Sequence, residues 1–126
     1  GCRFWLVGLG DALEGKPDIP GAFAQVADDA PVIALTHEPS LFPRIPARAA
    51  LTVAGHTHGG QVQLWPRTLF GKEAFDPDSH RLRGAYDVDG RLLFVSPGIG
   101  TSIVPMRLGV PPEISRLTLR GATTTR

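Results

Sequence analysis

The chain has 126 residues, of which 42% are hydrophobic and 20% charged, a composition typical of a soluble globular domain or of part of one. A net charge of +1 with scattered basic residues excludes the electrostatic footprint of a nucleic-acid-binding protein, so we expect no nucleic-acid partner. The single cysteine, Cys2, excludes an internal disulfide framework, and no apolar run approaches the roughly 20 residues of a membrane-spanning helix.

The first half of the chain alternates apolar strands with one helix. Short apolar runs predict strands at residues 3–8, 32–35 and 51–54. Asp18 offers an N-cap, and the apolar spacing that follows predicts an amphipathic helix over residues 19–29. The proline-rich stretch at residues 39–46 can hold at most one turn of helix.

The second half is predicted to be richer in β-structure. Residues 61–64 alternate weakly, and residues 65–80 form a polar loop. The Asp89-Gly90 pair predicts a two-residue hairpin between strands at residues 85–88 and 92–95. A last alternating strand is expected at 113–119, followed by a frayed, disordered tail at 121–126. The fold class is therefore α/β, with a β-rich C-terminal part.

Three of the four histidines follow predicted strands. His37 ends the second strand, and His56 and His58 follow the third within the sequence Gly-His-Thr-His-Gly-Gly. Because ligands bind outside the carboxyl ends of strands in open α/β sheets, all three are expected at one rim. Positions i and i+2 of an extended segment also face the same side. Imidazole is the commonest metal-binding side chain, so we interpret these residues as metal ligands.

The alternatives are open on residue type alone. The three histidines could be ordinary strand-end side chains with satisfied hydrogen bonds, or a mononuclear zinc site. Asp11 is interpreted as a loop or capping residue, and Glu38 as either a residue supporting His37 or a surface residue. His80 lies in a polar loop and is expected to be solvated. The run Gly98–Ser102 resembles a phosphate-binding loop only loosely, since it has neither the lysine nor the following helix.

The ordered set of motifs resembles the calcineurin-like metallophosphoesterases. The block Gly55–Gln61 is similar to the last signature of that family, and Thr36–Pro39 is similar to the lone-histidine block before it. The stretch from Leu92 to Ile114 resembles the C-terminal end of a bacterial branch, the YkuE- and YaeI-type phosphodiesterases. The resemblance extends over nearly the whole chain, from Arg3 to about Leu119.

The resemblance implies two divalent metal ions (Mn, Fe, Zn, Ni or Mg), with His37 and His56 on the second and His58 on the first. It implies hydrolysis of a phosphodiester or pyrophosphate in a small-molecule or lipid-linked substrate. It also implies the C-terminal half of a four-layer α/β/β/α sandwich, with residues 1–126 as the C-terminal part of one catalytic domain.

The chain departs from the family pattern at its beginning. The Asp-x-His, Gly-Asp and Gly-Asn-His blocks are not found, and Asp11 is in the wrong order to be the bridging aspartate. We therefore expect the N-terminal half of the domain to be absent, and no catalytic residue in this chain beyond the metal ligands. The chain alone is expected to be inactive, with an uncovered apolar face that favours self-association.

Three further expectations concern an alternative function, the location and the substrate. The alternative function is a non-catalytic binding or assembly module that retains a vestigial three-histidine metal site. The location implied by the bacterial branch is cytoplasmic or peripheral to the inner membrane. An acylated substrate would favour exposed apolar residues near the site, such as Trp65, Leu69 and Phe70, although these residues also suit a role as loop anchors.

Overall fold

A computed structural model describes residues 3–64, 67–68 and 81–120. Its main sheet has five strands in the order β1-β2-β3-β7-β6, and a second, two-stranded sheet pairs β4 with β5. The bounds of the strands are β1 Trp5–Gly8, β2 Val32–Leu35, β3 Ala49–Ala54, β4 Gln63–Leu64, β5 Arg67–Thr68, β6 Gly84–Val88 and β7 Arg91–Val95.

The four strands β1, β2, β3 and β7 run parallel, and β6 pairs antiparallel with β7. This mixed sheet with few helices confirms the predicted α/β class and its β-rich second half. Because the four strands are parallel, their carboxyl ends lie at one edge of the sheet, which becomes the edge of interest below.

The predicted helix is present but shorter than expected. Helix α1 spans Ile19–Ala24, and the Asp18 carboxylate accepts the Gly21 N–H at 2.9 Å, as the N-cap prediction required. The residues beyond the helix follow a different local structure, since the Asp28 carboxylate accepts both the Ala30 N–H and the Trp5 indole N–H. Such side-chain bonds to nearby backbone compete with helical ones, and α1 therefore ends before residue 29.

The proline-rich stretch forms more helix than expected. A 3₁₀ helix spans Pro39–Arg44, which is longer than the single turn predicted. Its tighter i→i+3 bonds, from Leu41 N–H to Glu38 O and from Ile45 N–H to Phe42 O, tolerate the fixed backbone of Pro43 better than an α-helix would.

The hairpin prediction is confirmed. Val88 pairs with Arg91 across the turn, and both turn residues have positive φ, 54° at Asp89 and 78° at Gly90. Such angles are those of a type I′ turn, whose twist matches that of the flanking strands.

Two predictions in the second half are wrong. Residues 113–119 form no strand, because their backbone joins no ladder and nearly all of their side chains are exposed, Ile114 to 88%. Residues 67–68, predicted as loop, instead pair with β4. The other residues of the predicted loop at 65–80, and the tail at 121–126, lie outside the described residues.

The two faces of the main sheet differ in their covering. One face buries Ala34, Ala54, Leu93 and Val95 beneath Phe42, Ile45 and the side of α1 that carries Phe23. The other face leaves Leu6, Leu35 and Leu92 exposed to 59%, 37% and 47%. An uncovered apolar face agrees with what the sequence led us to expect, and self-association through it stays a prediction.

No helix in the described ranges combines the length and the apolar character that crossing a membrane requires.

Candidate metal centre

The loops that follow β1, β2 and β3 meet at the carboxyl edge of the sheet. The Leu9 N–H donates to Leu35 O at 2.9 Å, and the Gly55 N–H donates to His37 O at 3.0 Å. These bonds extend the strand pairing by a residue or two and hold the loop of each histidine against its neighbour.

A cavity of about 230 Å³ opens at this edge. All three histidines predicted as ligands line it, together with other polar and apolar residues. Among the described residues, the lining is His37, His56, Thr57, His58, Gln61, Ser102, Ile103 and Val104. The three histidines thus share one cavity, as their positions after neighbouring strands predicted.

The reason given from the sequence for the facing of His56 and His58 was nevertheless wrong. The segment is not extended: His56 has a φ of 67°, and His58 has a φ of 50° at the start of a short 3₁₀ turn. Of the five non-glycine residues with positive φ in the described ranges, four line this cavity, and the fifth is Asp89 in the hairpin. Backbone strain of this kind concentrates at functional sites.

His37 and His56 are in direct contact. His56 Nδ1 lies 2.8 Å from His37 Nε2, and the rings meet edge to face with centroids 4.7 Å apart. Burial lowers the pKa of His56, and the neighbouring His37 lowers it further. The neutral ring is thereby favoured, which is the form that binds a metal ion.

His58 is held by different contacts. Its Nδ1 lies 2.9 Å from Gln61 Oε1, and its carbonyl accepts Arg107 Nη1 at 3.1 Å. The same guanidinium donates to Pro97 O at 2.7 Å and to Gly100 O at 2.6 Å. The sequence placed Gln61 and Arg107 only within the family resemblance, with no structural role. Arg107 contacts His58 from 49 residues away, which no local pattern indicates.

Gly59, beside His58, has a packing reason. Gly59 has a φ of 64°, and a Cβ there would lie 2.7 Å from Val110 Cγ1. The chain around Val110 therefore packs directly on the backbone of the turn. The Thr57 hydroxyl, which donates to Leu82 O at 2.5 Å, also accepts the Gly59 N–H at 3.3 Å.

Two carboxylates stand beside His37. Asp11 caps its own loop, accepting the Leu13 and Glu14 N–H groups at 2.7 and 3.1 Å, as predicted, and these bonds, chiefly that from Glu14, lower its pKa. Glu38 is only 3% exposed. One ligand atom from each of Asp11, His37 and Glu38 lies within 4.8 Å of the other two. The surface role considered for Glu38 is therefore wrong.

The glycine-containing run at 98–102 borders the cavity through Ser102. No helix follows it among residues 103–120, so the described chain offers no phosphate-binding loop of the P-loop type. His80, Trp65, Leu69 and Phe70, for which the sequence suggested surface or loop roles, lie outside the described residues.

The residues present fit a divalent metal ion. Two ligand atoms at 2.0–2.1 Å from one ion would be about 3.0–3.4 Å apart, close to the 2.8 Å between the facing nitrogens of His37 and His56. Glu38 Oε1 is buried without a hydrogen-bond partner among the described residues, although buried polar atoms are nearly always paired. Histidine and carboxylate together suit zinc, manganese or iron.

Several curated proteins similar to this chain are described as metallophosphoesterases. The metallophosphoesterase YkuE of Bacillus subtilis is 30% identical over 122 residues, which are 95% of this chain and 42% of YkuE. A metallophosphoesterase of Aquifex aeolicus is 34% identical over 91 residues, which are 71% of this chain and 33% of that protein. The chain belongs to the calcineurin-like metallophosphoesterase family. Its α/β architecture is consistent with the C-terminal portion of such a protein.

The same likeness extends to animal proteins. A transmembrane protein with a metallophosphoesterase domain from Bos taurus is 33% identical over 109 residues, which are 83% of this chain and 23% of that protein. No protein-family model and no solved structure matches the chain. The chain spans less than half the length of each of these three relatives. Membership of the metallophosphoesterases implies divalent metal ions and agrees with the donor set described above.

Proposed function

We propose that this metallophosphoesterase chain contributes three ligands to a dinuclear metal centre that hydrolyses a phosphodiester or a pyrophosphate. The observation that carries the proposal is the contact between His37 Nε2 and His56 Nδ1 at 2.8 Å, with His58 on the same cavity. Two ring nitrogens 2.8 Å apart are close to the separation expected between two ligand atoms of one cation.

His37 and His56 are assigned to one ion, and His58 is assigned to the other. The different supports of the rings favour this division, since His37 and His56 contact each other whereas His58 Nδ1 contacts Gln61. Gly55 N–H and His37 O hold the first two histidine loops together, so this ligand pair is formed by the fold before any ion arrives.

Bound divalent ions would acidify a water molecule and neutralise charge on the phosphate oxygens. The residues of this chain orient the ligands and shape the space for the substrate. Ile103, at the rim of the cavity, is 86% exposed, and Val104 lines the same wall. An apolar rim beside the three histidines suits a phosphoester that carries an apolar or lipid-linked group.

We expect this chain by itself to hydrolyse no phosphoester. The family blocks that supply the bridging carboxylate, the asparagine and the catalytic histidine are not found in its sequence. A location in the cytoplasm or at the periphery of the inner membrane is part of the same proposal, and fractionation of cells that express the protein tests it.

The test of the proposal is metal binding by the purified chain. Isothermal titration with Mn²⁺ and Zn²⁺, with elemental analysis after dialysis, would compare the wild type with His37→Ala, His56→Ala and His58→Ala. We expect each substitution to weaken or abolish metal binding. Ser102→Ala is the control and should leave binding unchanged, because the hydrogen bonds between Ser102 and Gln61 involve only the backbone of Ser102.

Equal binding by the wild type and all three histidine variants would overturn the ligand assignment. Metal bound at the three histidines, with no phosphoester hydrolysis by any longer protein that contains this sequence, would favour the alternative of a binding module.

A further inference from the structure

The side-chain amide of Gln61 makes every hydrogen bond that it can make. Gln61 is 5% exposed. Its Nε2 donates to Ser102 O and to Val104 O, each at 2.9 Å. Its Oε1 accepts the Ser102 N–H at 2.8 Å and lies 2.9 Å from His58 Nδ1. Two donors and two acceptor positions are the full capacity of an amide side chain.

The backbone around Gln61 fixes which end of the amide is oxygen. Nitrogen and oxygen of an amide are usually assigned from the hydrogen-bond network alone. Here one end faces two carbonyl oxygens, which can only accept, and the other faces the Ser102 N–H, which can only donate. A rotated amide would place its oxygen against the two carbonyl oxygens and its NH₂ group against the Ser102 N–H. Because all three contacts would be repulsive, only the observed orientation fits.

This orientation determines the tautomer of His58. Because Gln61 Oε1 can only accept, the His58 nitrogen beside it must donate, and the proton of the neutral ring therefore lies on Nδ1. The lone pair of the ring is then on Nε2. Hydrogen bonds from groups outside the coordination sphere fix metal-binding histidines in this way.

The same amide also holds one wall of the cavity. Ser102 and Val104 are both bonded to it, and Ile103 between them has a φ of 66°, a strained value for a β-branched residue. Strain of this kind persists only where surrounding contacts impose it, and Gln61 supplies three of those contacts.

We propose that Gln61 is a positioning residue with two roles. It holds His58 as the Nδ1–H tautomer, with Nε2 free to bind a metal ion, and it anchors Ser102, Ile103 and Val104 as a wall of the cavity. The metal-binding part of this inference rests on the proposed function, in which His58 is a ligand. The tautomer part depends only on contacts within the chain.

Long-range ¹H–¹⁵N correlation spectra of the uniformly labelled, metal-free chain would test it, recorded at about pH 8.5, where ordinary histidines are neutral. We expect His58 to carry its proton on Nδ1 in the wild type. In Gln61→Leu the acceptor is lost, and His58 should shift toward the Nε2–H form that free histidine prefers in water.

Gln61→Glu separates the two roles. Its carboxylate still accepts from His58 Nδ1, so the tautomer should be retained, whereas the two donors to Ser102 O and Val104 O are lost. Amide resonances of residues 102–104 should therefore move in Gln61→Glu while the His58 ring pattern is retained. Gln63→Leu is the matched control, since that side chain donates to Gly59 O and does not contact His58.

A wild-type His58 with its proton on Nε2, or a Gln61→Leu ring pattern identical to the wild type, would overturn the inference. If Gln61→Leu fails to fold, the wild type and Gln61→Glu still decide the question. Titration with Zn²⁺ provides the second measurement, in which Gln61→Leu is expected to bind about 10–100-fold more weakly. A correct tautomer in a chain that binds no metal would refute the proposed function and leave the tautomer assignment standing.

Discussion

The two sides of the cavity hold their histidines in different ways. On one side, which we call the paired corner, His37 and His56 face each other at 2.8 Å. On the other, the braced corner, the ring of His58 is held by Gln61 and its backbone by Arg107. In the paired corner two ring nitrogens, from His37 and His56, are directed at each other. In the braced corner Nδ1 of the single ring is hydrogen-bonded to the side chain of Gln61.

The two corners show two ways in which a protein can orient a histidine for metal binding. In the paired corner, neutral rings can satisfy each other only when one donates and the other accepts, and two protonated rings would repel. If both rings held one cation, each ring nitrogen would bind the ion in place of the other ring. In the braced corner the protein contacts Nδ1 of the ring, so a cation bound at Nε2 would leave that contact in place.

The largest expected effect tests whether the paired corner binds a single ion. His37→Ala and His56→Ala should each weaken the first Mn²⁺ by more than about 100-fold, beyond the effect of losing a supporting hydrogen bond. Because both rings are assigned to the same ion, the two single substitutions should weaken the same binding step. Calorimetric titration checks this, and single variants that each lose a different binding step would show that the two rings serve separate ions.

The next effect concerns the carboxylate behind the paired corner. In the wild type, Glu38 Oε2 accepts the Ala12 N–H at 3.2 Å. Glu38→Gln retains one oxygen that can accept this bond but removes the formal charge near His37. We expect metal affinity to fall by about 10–100-fold and the metal-free chain to become more stable to heat. Glu113→Gln, at an exposed residue bonded to Ser115, is the control. An unchanged metal affinity in Glu38→Gln would show that Glu38 does not contribute to metal binding.

Acidification should affect the paired corner of the metal-free chain. The pKa of His56 lies below its ordinary value of 6.5, through burial and then through the charge of His37. As the pH falls through 6.5, His56 becomes protonated in the unfolded chain but stays neutral in the folded chain. The free energy of unfolding therefore decreases until the pH passes the pKa of His56 in the folded chain. Thermal unfolding with a chelator present, between about pH 7.5 and 5.5, should show a steeper loss in the wild type than in His56→Gln. Equal slopes would contradict the assignment.

The smallest effect concerns the wall held by Gln61. Ile103→Gly relieves the left-handed backbone conformation and removes a side chain that is mostly exposed, so we expect a gain of about 0.5–1 kcal/mol in the free energy of unfolding. Metal affinity should not change, because the wall lies outside the ligand set. Denaturant titration measures the gain, and a destabilised variant would mean that Ile103 packs on the wall.

Much of this arrangement could be predicted from local sequence pattern. Short apolar runs located β2 and β3, the Asp89-Gly90 pair located the hairpin, and Asp18 located the start of α1. The gathering of three histidines at one edge followed from parallel strands, because the carboxyl ends of such strands coincide. These features depend on contacts between neighbours in sequence or on a general rule of topology.

The rest depended on distant contacts. Gln61 meets Ser102 and Val104 across 41 and 43 residues, and no spacing in the sequence indicates that meeting. The alternation at 113–119 predicted a strand, but a strand needs a partner, and sequence pattern does not supply one. The conformation of His56 and His58 was likewise mistaken, because an extended segment was assumed where tertiary packing imposes positive φ.

The order of the strands has a consequence for how such a protein can change over evolutionary time. The chain leaves the main sheet at Ala54, returns to it at Gly84, and pairs β7 directly beside β3. In sequence, residues 55–83 connect β3 to β6, and β7 lies between these two strands in the sheet. Doubling the length of a flexible loop costs only about 0.6 kcal/mol in loop-closure entropy. Insertions in this connection could thus accumulate at small entropic cost while the histidines, which lie at its start, stay in place.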